Sequence, residues 1–389
     1  MSETPKIAVL HVMMNPATGP WNVMRHLSMA QDNSRLYSEV ALGLITDSSW
    51  PAVYENELRD LSVRVYRRRT FKIFGTAQHL LQLVVRPGIE RWAEDLATRS
   101  GAGHVIVHFH NAWTSGVFLP LRSKQVSMTS VVTFHGIAGA PSLRREPIRR
   151  HLHRWIARRL INYGGRLTSV DKGSLDAAKE LFGMNGDRFT IIPNGMPMMA
   201  NEYGPFLRGT DRLTLAHIGS LTEAKGWHIA AEAVISLAKA GYKIRLIIAG
   251  TGPQEAEARQ MAEQHPDCIT FAGRVADPCR NLLPDVDLFV LMTSNDGLPM
   301  AIIEALSCGI PVVSTRIGGI PDAIKEGESG FIIDRTADAL AKVIKSLFHN
   351  PSRLLNLSRN TRRIFGEKFE IGHIVQAYHA LYGQTSGRP

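Results

Sequence analysis

Cysteine is scarce: Cys268, Cys279 and Cys308 are the only three in 389 residues, and no two form a CxxC pair. They cannot all be bridged to one another, so the chain reads as a protein of a reducing, cytoplasmic compartment. Long apolar runs are missing as well. No stretch approaches the roughly 18 to 20 residues that a bilayer span needs. The opening MSETPKIAVLHVMM has no charged region ahead of its apolar stretch and no small-residue cleavage site, which argues against a secretion signal. Low-complexity tracts and short-period repeats are absent. Acidic residues are in the minority, with 35 Asp plus Glu against 45 Lys plus Arg and a formal net charge of +10. The resulting pI near 9.7 favours anionic partners: nucleic acid, anionic lipid or phosphorylated small molecules.

What is present is ordinary globular material, 44% hydrophobic and 21% charged, which excludes disorder and fibres. Dividing the length by about 150 gives two or three domains. Apolar, β-branched runs recur: KIAVLHV, EVALGLI, HVIVHF, SVVTF, then RLTLAHIG, KIRLIIAG, CITFAG, DLFVLM and IPVVST. Segments of helical period separate them, such as GWHIAAEAVISLAKAG and PQEAEARQMAEQ. Continuous apolar strands alternating with helices predict parallel sheets covered on both faces, hence an α/β fold. The break falls at PNGMPMMANEYGPFLRGTD, residues 193–211, which is rich in Pro, Gly, Asn and Met and has neither period. Two Rossmann-like lobes are therefore expected, over 1–195 and 205–365, with parallel sheets facing a ligand cleft and helices over 351–383.

In open parallel sheets, ligands gather outside the carboxyl ends of the strands, so the loops after the apolar runs carry the chemistry. The run DLFVLM leads into SNDGLPMAIIEALSCGIPVV, residues 294–313, where Asp296 and Glu304 are the only charges, eight positions apart. Pro299 suits a first helical turn and Gly309 its end, giving a helix of about ten residues. Its first amides, near Met300 and Ala301, form an anion site through unsatisfied N–H groups and the helix dipole. Glu304 shares their face one turn further in, beside the sugar that adjoins a bound phosphate. Asp296 would face the other side of that phosphate. The plainer alternative is a solvent-facing Glu304 and a turn residue at Asp296.

These residues resemble the signature of the family-4 retaining glycosyltransferases, which have the GT-B fold. DGLPMAIIEALSCGIPVVSTRIGGIPDAI matches their paired acids, small-residue helix, Gly-Pro-Val-Val strand and Gly-Gly turn. HIGSLTEAKGW resembles the family's Lys-Gly loop, IIAGTGP its Gly-x-Gly turn, FAGRV its base-contacting strand, FTIIPNGM the segment entering the linker and TFHG the N-lobe histidine loop. The resemblance implies that Glu304 binds the nucleotide ribose and that Asp296 contacts hydroxyls of the transferred sugar. It gives Lys225 the leaving diphosphate, shared with the Met300 and Ala301 amides, a set that stabilises the departing charge without a metal. Arg274 and Val275 would lie near the base and His135 near the donor sugar. Gly19, Gly219, Ser220, Gly250 and Leu298 would be donor-contacting loop positions. The N-terminal lobe would hold the acceptor, with a C-terminal helix at about 368–385 packing back onto it, and the C-terminal lobe would hold the nucleotide sugar. The implied reaction takes a sugar from a UDP- or GDP-linked donor to a hydroxyl of a glycan or lipid-linked acceptor in bacterial surface polysaccharide synthesis, with no cofactor or metal. Three positions depart from the family pattern: Asp296 replaces the usual Glu, Ser220 stands where many members carry Arg, and Gly19-Pro20 replaces paired glycines.

Other candidates read as structural. Asp285-Val286-Asp287 mimics a metal-binding Asp-x-Asp, but it precedes a strand, where an acid caps the preceding helix or turn. Gly250-Thr251-Gly252 lacks the third glycine of a dinucleotide fingerprint, so no NAD role is expected. His108 and His110 alternate along a strand, so at most one is expected to face a ligand. The run LRREPIRRHLHRWIARR, residues 143–159, places Leu152, Trp155 and Ile156 on one helical face flanked by Arg149, Arg154, Arg158 and Arg159, with Arg67, Arg68 and Arg69 in the same lobe. That pattern suits either a solvated helix or peripheral contact with an anionic membrane. Nucleic acid is not an expected partner. A catalytically weakened or non-enzymatic nucleotide-sugar binder of the same fold is the alternative function.

Overall fold

The computed structural model describes residues 6–14, 19–46, 58–59, 61–69, 77–110, 118–135, 155–156, 158–163, 165–182, 189–199, 204, 206–207 and 209–386. The chain divides into two compact units, Met1–Gly195 with Ile371–Pro389, and Met196–Glu370.

Unit 1 is built on β1 (Ile7–Met14), β2 (Glu39–Thr46), β3 (Arg64–Arg69), β4 (His104–Phe109), β5 (Ser127–Phe134), β6 (Arg166–Ser169) and β7 (Phe189–Ile191). They form one sheet in the order β3-β2-β1-β4-β5-β6-β7, parallel throughout. The central strands are apolar on both faces because helices cover both. Leu10, Val105 and Val107 pack with Ile89, Ala93 and Leu96 of the helix Ala77–Ser100. Val9, Ile106 and Val131 pack instead with Ile374, Val375 and Tyr378 of the helix Ile371–Ser386. Each such aliphatic side chain contributes about 1.5–3 kcal/mol when fully buried.

Unit 2 contains β8 (Leu213–Ile218), β9 (Ile244–Ala249), β10 (Ile269–Gly273), β11 (Leu288–Leu291), β12 (Val312–Ser314) and β13 (Gly330–Ile332). Their order is β10-β9-β8-β11-β12-β13, again all parallel. Leu215, Leu246, Ile248 and Val290 pack with Ala230 and Val234 of the helix Trp227–Lys239 and with Leu340 and Ile344 of the helix Ala337–Phe348. Both sheets thus reverse direction beside their first strand, β1 with β4 and β8 with β11. Such a reversal opens a crevice at the carboxyl ends of the two central strands.

Asp287, of the Asp-x-Asp look-alike, is a structural acid. It is 2% exposed, and its two carboxylate oxygens accept the amides of Phe206 and Thr214, each at 2.9 Å, which pins the unit's entry segment to β8.

Candidate active site

Two loops meet at the reversal of unit 2, residues 219–226 after β8 and 292–299 after β11. The Ser294 amide and hydroxyl both donate to the Ala224 carbonyl, at 2.8 and 3.3 Å. Gly226 sits at φ 69°, and a Cβ there would collide with the Met292 carbonyl oxygen, so only glycine lets the loops approach this closely. Arg335 fastens both, donating from Nε to the Met292 carbonyl at 2.8 Å and from Nη2 to the Glu223 carbonyl at 2.5 Å. This lacing brings Lys225 and Asp296 together. Lys225 Nζ donates to Asp296 Oδ1 at 2.5 Å, with the two side chains 22% and 13% exposed. The second oxygen, Oδ2, is buried and hydrogen-bonds to no described residue.

The helix Met300–Ser307 follows at once, eight residues long, with Pro299 as an N-cap that offers no side-chain hydrogen bond. Pro299 also supplies the carbonyl for the Ile302 and Ile303 amides, at 3.1 and 3.4 Å. The Met300 and Ala301 amides precede them at the helix tip, where the positive end of the dipole favours an anion. Gly318 and Gly319 wrap this loop. The Gly319 amide donates to Gly297 at 2.9 Å, and a Cβ on Gly318 would strike the Asp296 carbonyl. Glu304 is 6% exposed and Leu298 5% exposed, so Glu304 is not a solvent-facing residue. The Ser307 hydroxyl donates to the Glu304 carbonyl at 2.7 Å, and Cys279 and Cys308 pack beside that hydroxyl as free thiols.

The neighbouring strand ends extend the row. The Gly219 amide donates to the Ala249 carbonyl at 3.1 Å, and the Gly250 amide to the Gly273 carbonyl at 2.7 Å. A Cβ on Gly250, at φ 142°, would clash with the Gly219 carbonyl. Ser220 is exposed after β8, and Arg274 and Val275 follow β10. The candidates of unit 2 therefore lie at the carboxyl ends of the strands of one sheet, on the loops that follow them or on the helix Met300–Ser307. Gly19 and His135 belong to unit 1. Gly19 is exposed at the head of the helix Gly19–Ser34, whose preceding loop, 15–18, lies outside the described residues.

At the reversal of unit 1 stands a cluster of histidines. His135 follows β5, and its Nε2 is 3.1 Å from His110 Nδ1. His110 Nε2 is 2.9 Å from His11 Nδ1, and His11 Nε2 is 2.6 Å from Gln31 Oε1. His108 bonds Tyr382 OH and Thr133 Oγ1, both at 2.7 Å. The premise that His108 and His110 alternate to opposite faces is corrected here. Residues two apart on a strand share a face, and these rings stack at 4.3 Å. Burial holds His11 and His135 down to about 4, and His108 and His110 well below the ordinary imidazole value, so all four are neutral at pH 7. His11, His108 and His110 have ligand atoms within 4.8 Å of one another, as a metal site would. Each of their ring nitrogens is already engaged by a protein group, which leaves no lone pair to spare. His11 and Gln31 escaped the sequence reading; the register that sets His11 opposite His108 becomes visible only once the sheet order is known.

The basic helix is split rather than one-faced. Ile156 is fully buried in the unit 1 core with Leu160, whereas Trp155 is 41% exposed. The Arg159 guanidinium lies 4.8 Å over the Trp155 ring and 5.8 Å from the ring of Tyr163. Positions 155, 159 and 163 form the outer stripe and 156 and 160 the inner one, as a repeat of four dictates. Leu152, Arg149 and Arg154 lie outside the described residues.

Sequence comparison decides the family. The model described as "Glycosyl transferases group 1" matches residues 212–350, and that of the "Glycosyl transferase 4-like domain" matches 18–195. The chain belongs to the group 1 glycosyltransferases of the family-4 type. Among curated relatives of this family, the putative colanic acid biosynthesis glycosyltransferase WcaL of Salmonella typhimurium is 34% identical over 46% of this chain and 44% of its own length. N-acetyl-alpha-D-glucosaminyl L-malate synthase of Bacillus anthracis is 24% identical over 71% of this chain and 74% of its own. The chain thus spans less than half the length of the first of these relatives. Among solved structures, Anabaena HepE in complex with UDP superposes with a TM-score of 0.74 at 17% identity, covering 97% of this chain and all of that one. The glycosyltransferase of Rickettsia africae gives 0.70 at 15%, over 99% and 100%. The fold is GT-B.

Proposed function

We propose that the chain is a retaining, metal-independent glycosyltransferase that moves a sugar from a UDP- or GDP-linked donor to a hydroxyl of a glycan or lipid-linked acceptor in bacterial surface polysaccharide synthesis. The observation that carries this reading is the Lys225–Asp296 pair, held at the sheet reversal beside an uncapped helix tip and a buried Glu304. The Met300 and Ala301 amides and Lys225 meet the diphosphate and stabilise the charge that develops as the sugar leaves. Glu304 accepts ribose hydroxyls, Asp296 binds the sugar, Arg274 and Val275 flank the base, and His135 contacts a hydroxyl of the donor sugar. Gly19, Gly219, Ser220, Gly250 and Leu298 line the donor. Relatives support the class of reaction: HepE is seen with UDP and with UDP-glucose, and WcaL and the Staphylococcus aureus CapM are named for colanic acid and capsular polysaccharide biosynthesis. The Trp155–Arg159–Tyr163 stripe supports a lipid-linked acceptor at the inner face of the cytoplasmic membrane. A thermal-shift panel of nucleotides and nucleotide sugars tests the donor, since a ligand of the folded state raises the melting point. NMR of the product anomer, with and without EDTA, tests stereochemistry and metal dependence. A chain that binds a nucleotide sugar but neither transfers nor hydrolyses it would be the non-enzymatic alternative.

A further inference from the structure

We propose that Arg335 is a positioning residue of the candidate active site: its guanidinium, gripping one main-chain carbonyl from each of the two loops, fixes Lys225 against Asp296. The effect on turnover rests on the glycosyl-transfer reading; the coupling of the loops does not.

Arg335 follows β13 and stands one residue ahead of Thr336, the N-cap of the helix Ala337–Phe348. That is a poor place for a cation kept for its charge, since the helix dipole is positive there. Nor does any carboxylate among the described residues come within ion-pair distance of it. What it holds instead is two carbonyls. Nε donates to Met292 at 2.8 Å and Nη2 to Glu223 at 2.5 Å. A guanidinium suits such a span, because its planar fork presents several donors in fixed directions.

Both carbonyls lie next to the charged pair along the chain. Glu223 opens the short turn Glu223–Lys225, and its carbonyl also accepts the Gly226 amide at 3.2 Å, so Arg335 closes that turn from outside. Met292 is fully buried just past the end of β11, where strand pairing stops supplying donors to the backbone. Its carbonyl is the one that a Cβ on Gly226 would strike. The residue after Lys225 thus rests against the very atom that Arg335 holds. Two sets of bonds cross directly between the loops, Lys225 to Asp296 and Ser294 to Ala224. The first must break when the ammonium turns to the diphosphate. Arg335, whose bonds go to main-chain oxygens only, keeps the loops in register through that step.

The loops and the reaction are read separately, both on the full chain. Hydrogen–deuterium exchange without donor follows the Ser294 amide, which donates to Ala224 at 2.8 Å. In Arg335→Ala that amide should exchange about tenfold faster, the protection of one hydrogen bond, while β8 and β11 keep their rates. Turnover should fall about tenfold to a hundredfold, the cost of a misplaced catalytic group, with donor KM near the wild-type value. Arg335→Lys keeps the charge, but its single nitrogen cannot span both carbonyls. It should therefore exchange like Arg335→Ala and recover little turnover. A Lys variant as fast as the wild type would mean that charge and not the span matters, which overturns the proposal. Three further results overturn it: a Ser294 amide that stays protected in Arg335→Ala, loops that loosen with turnover unchanged, or faster exchange throughout β8 and β11, the mark of a residue that serves the whole fold. Failure of the glycosyl-transfer reading looks different, as a wild type with a protected Ser294 amide and no product.

Discussion

At Lys225 two demands meet. Its ammonium neutralises Asp296 in the ligand-free protein, and in the proposed reaction it must turn to the departing diphosphate. The pair is largely shielded from water, so breaking it costs energy that the incoming diphosphate has to offset. Lys225→Ala should therefore lower turnover by about two to three decades, roughly 3–4 kcal/mol of transition-state stabilisation, as read by single-turnover kinetics. Glu304→Ala should act differently. A ribose contact is alike in ground and transition states, so donor KM rises about tenfold to a hundredfold while kcat is kept. Equal losses in kcat for the two variants would mean that these roles are misassigned. Gly226 makes a purely conformational test. Gly226→Ala puts a side chain at φ 69° against the Met292 carbonyl. The left-handed backbone alone costs about 1–2 kcal/mol, which urea unfolding should register as a lower midpoint.

The strand ends carry the pH dependence. His11, His135 and His217 are each held at about 4, chiefly by burial, against an ordinary value of 6.5. Below 6.5 the unfolded chain takes up protons that the folded chain refuses, so stability is intact above that pH and falls as pH drops towards 4. Each group withdraws about 1.4 kcal/mol per pH unit across that window. The melting temperature should hold between pH 8 and 7 and decline steeply from pH 6.5 to 5, and His11→Gln should shallow the decline. A flat profile would contradict neutral burial. These same elements mark how far the sequence could be read. Nine apolar runs announced β1, β2, β4, β5, β8, β9, β10, β11 and β12, because strands buried on both faces must be continuously apolar. β3, RVYRRR, did not announce itself; it lies at the sheet edge, where charged side chains are tolerated and guard against further pairing. β6 (RLTS) and β7 (FTI) are short and interrupted by polar residues, and β13 (GFI) opens on a glycine, so none of them stood out as an apolar run. Lys225 and Asp296 were legible one by one from their motifs. Their pairing across 71 residues was not, since it depends on β8 and β11 being neighbours. The histidine row was hidden for the same reason.

On the scale of the whole molecule, the surplus of +10 favours anionic partners. Among the described residues no helix is long and apolar enough to cross a membrane; a peripheral contact, as proposed, would rest on charge and a few aromatic anchors. The outer stripe of the basic helix has that composition: Trp155 is 41% exposed and Tyr163 46%, with Arg159 stacked against both rings. A helix that served only its own lobe would have turned the tryptophan inward; here Ile156 and Leu160 fill that role. Exposed aromatic rings beside arginines suit the headgroup level of a bilayer, where the ring is half wet and the cation meets phosphate. Each basic residue at an anionic leaflet adds about 1 kcal/mol, and the attraction fades with salt. The protein should co-sediment with vesicles containing anionic phospholipid, should ignore neutral vesicles, and should be released by high salt. Arg158→Gln with Arg159→Gln removes two charges, about 2 kcal/mol, which is a roughly thirtyfold loss of vesicle affinity. Trp155→Ala should deepen that loss while leaving transfer to a soluble acceptor analogue unchanged. Vesicle binding that survives all three substitutions would place the membrane contact elsewhere on the chain and remove this helix from it.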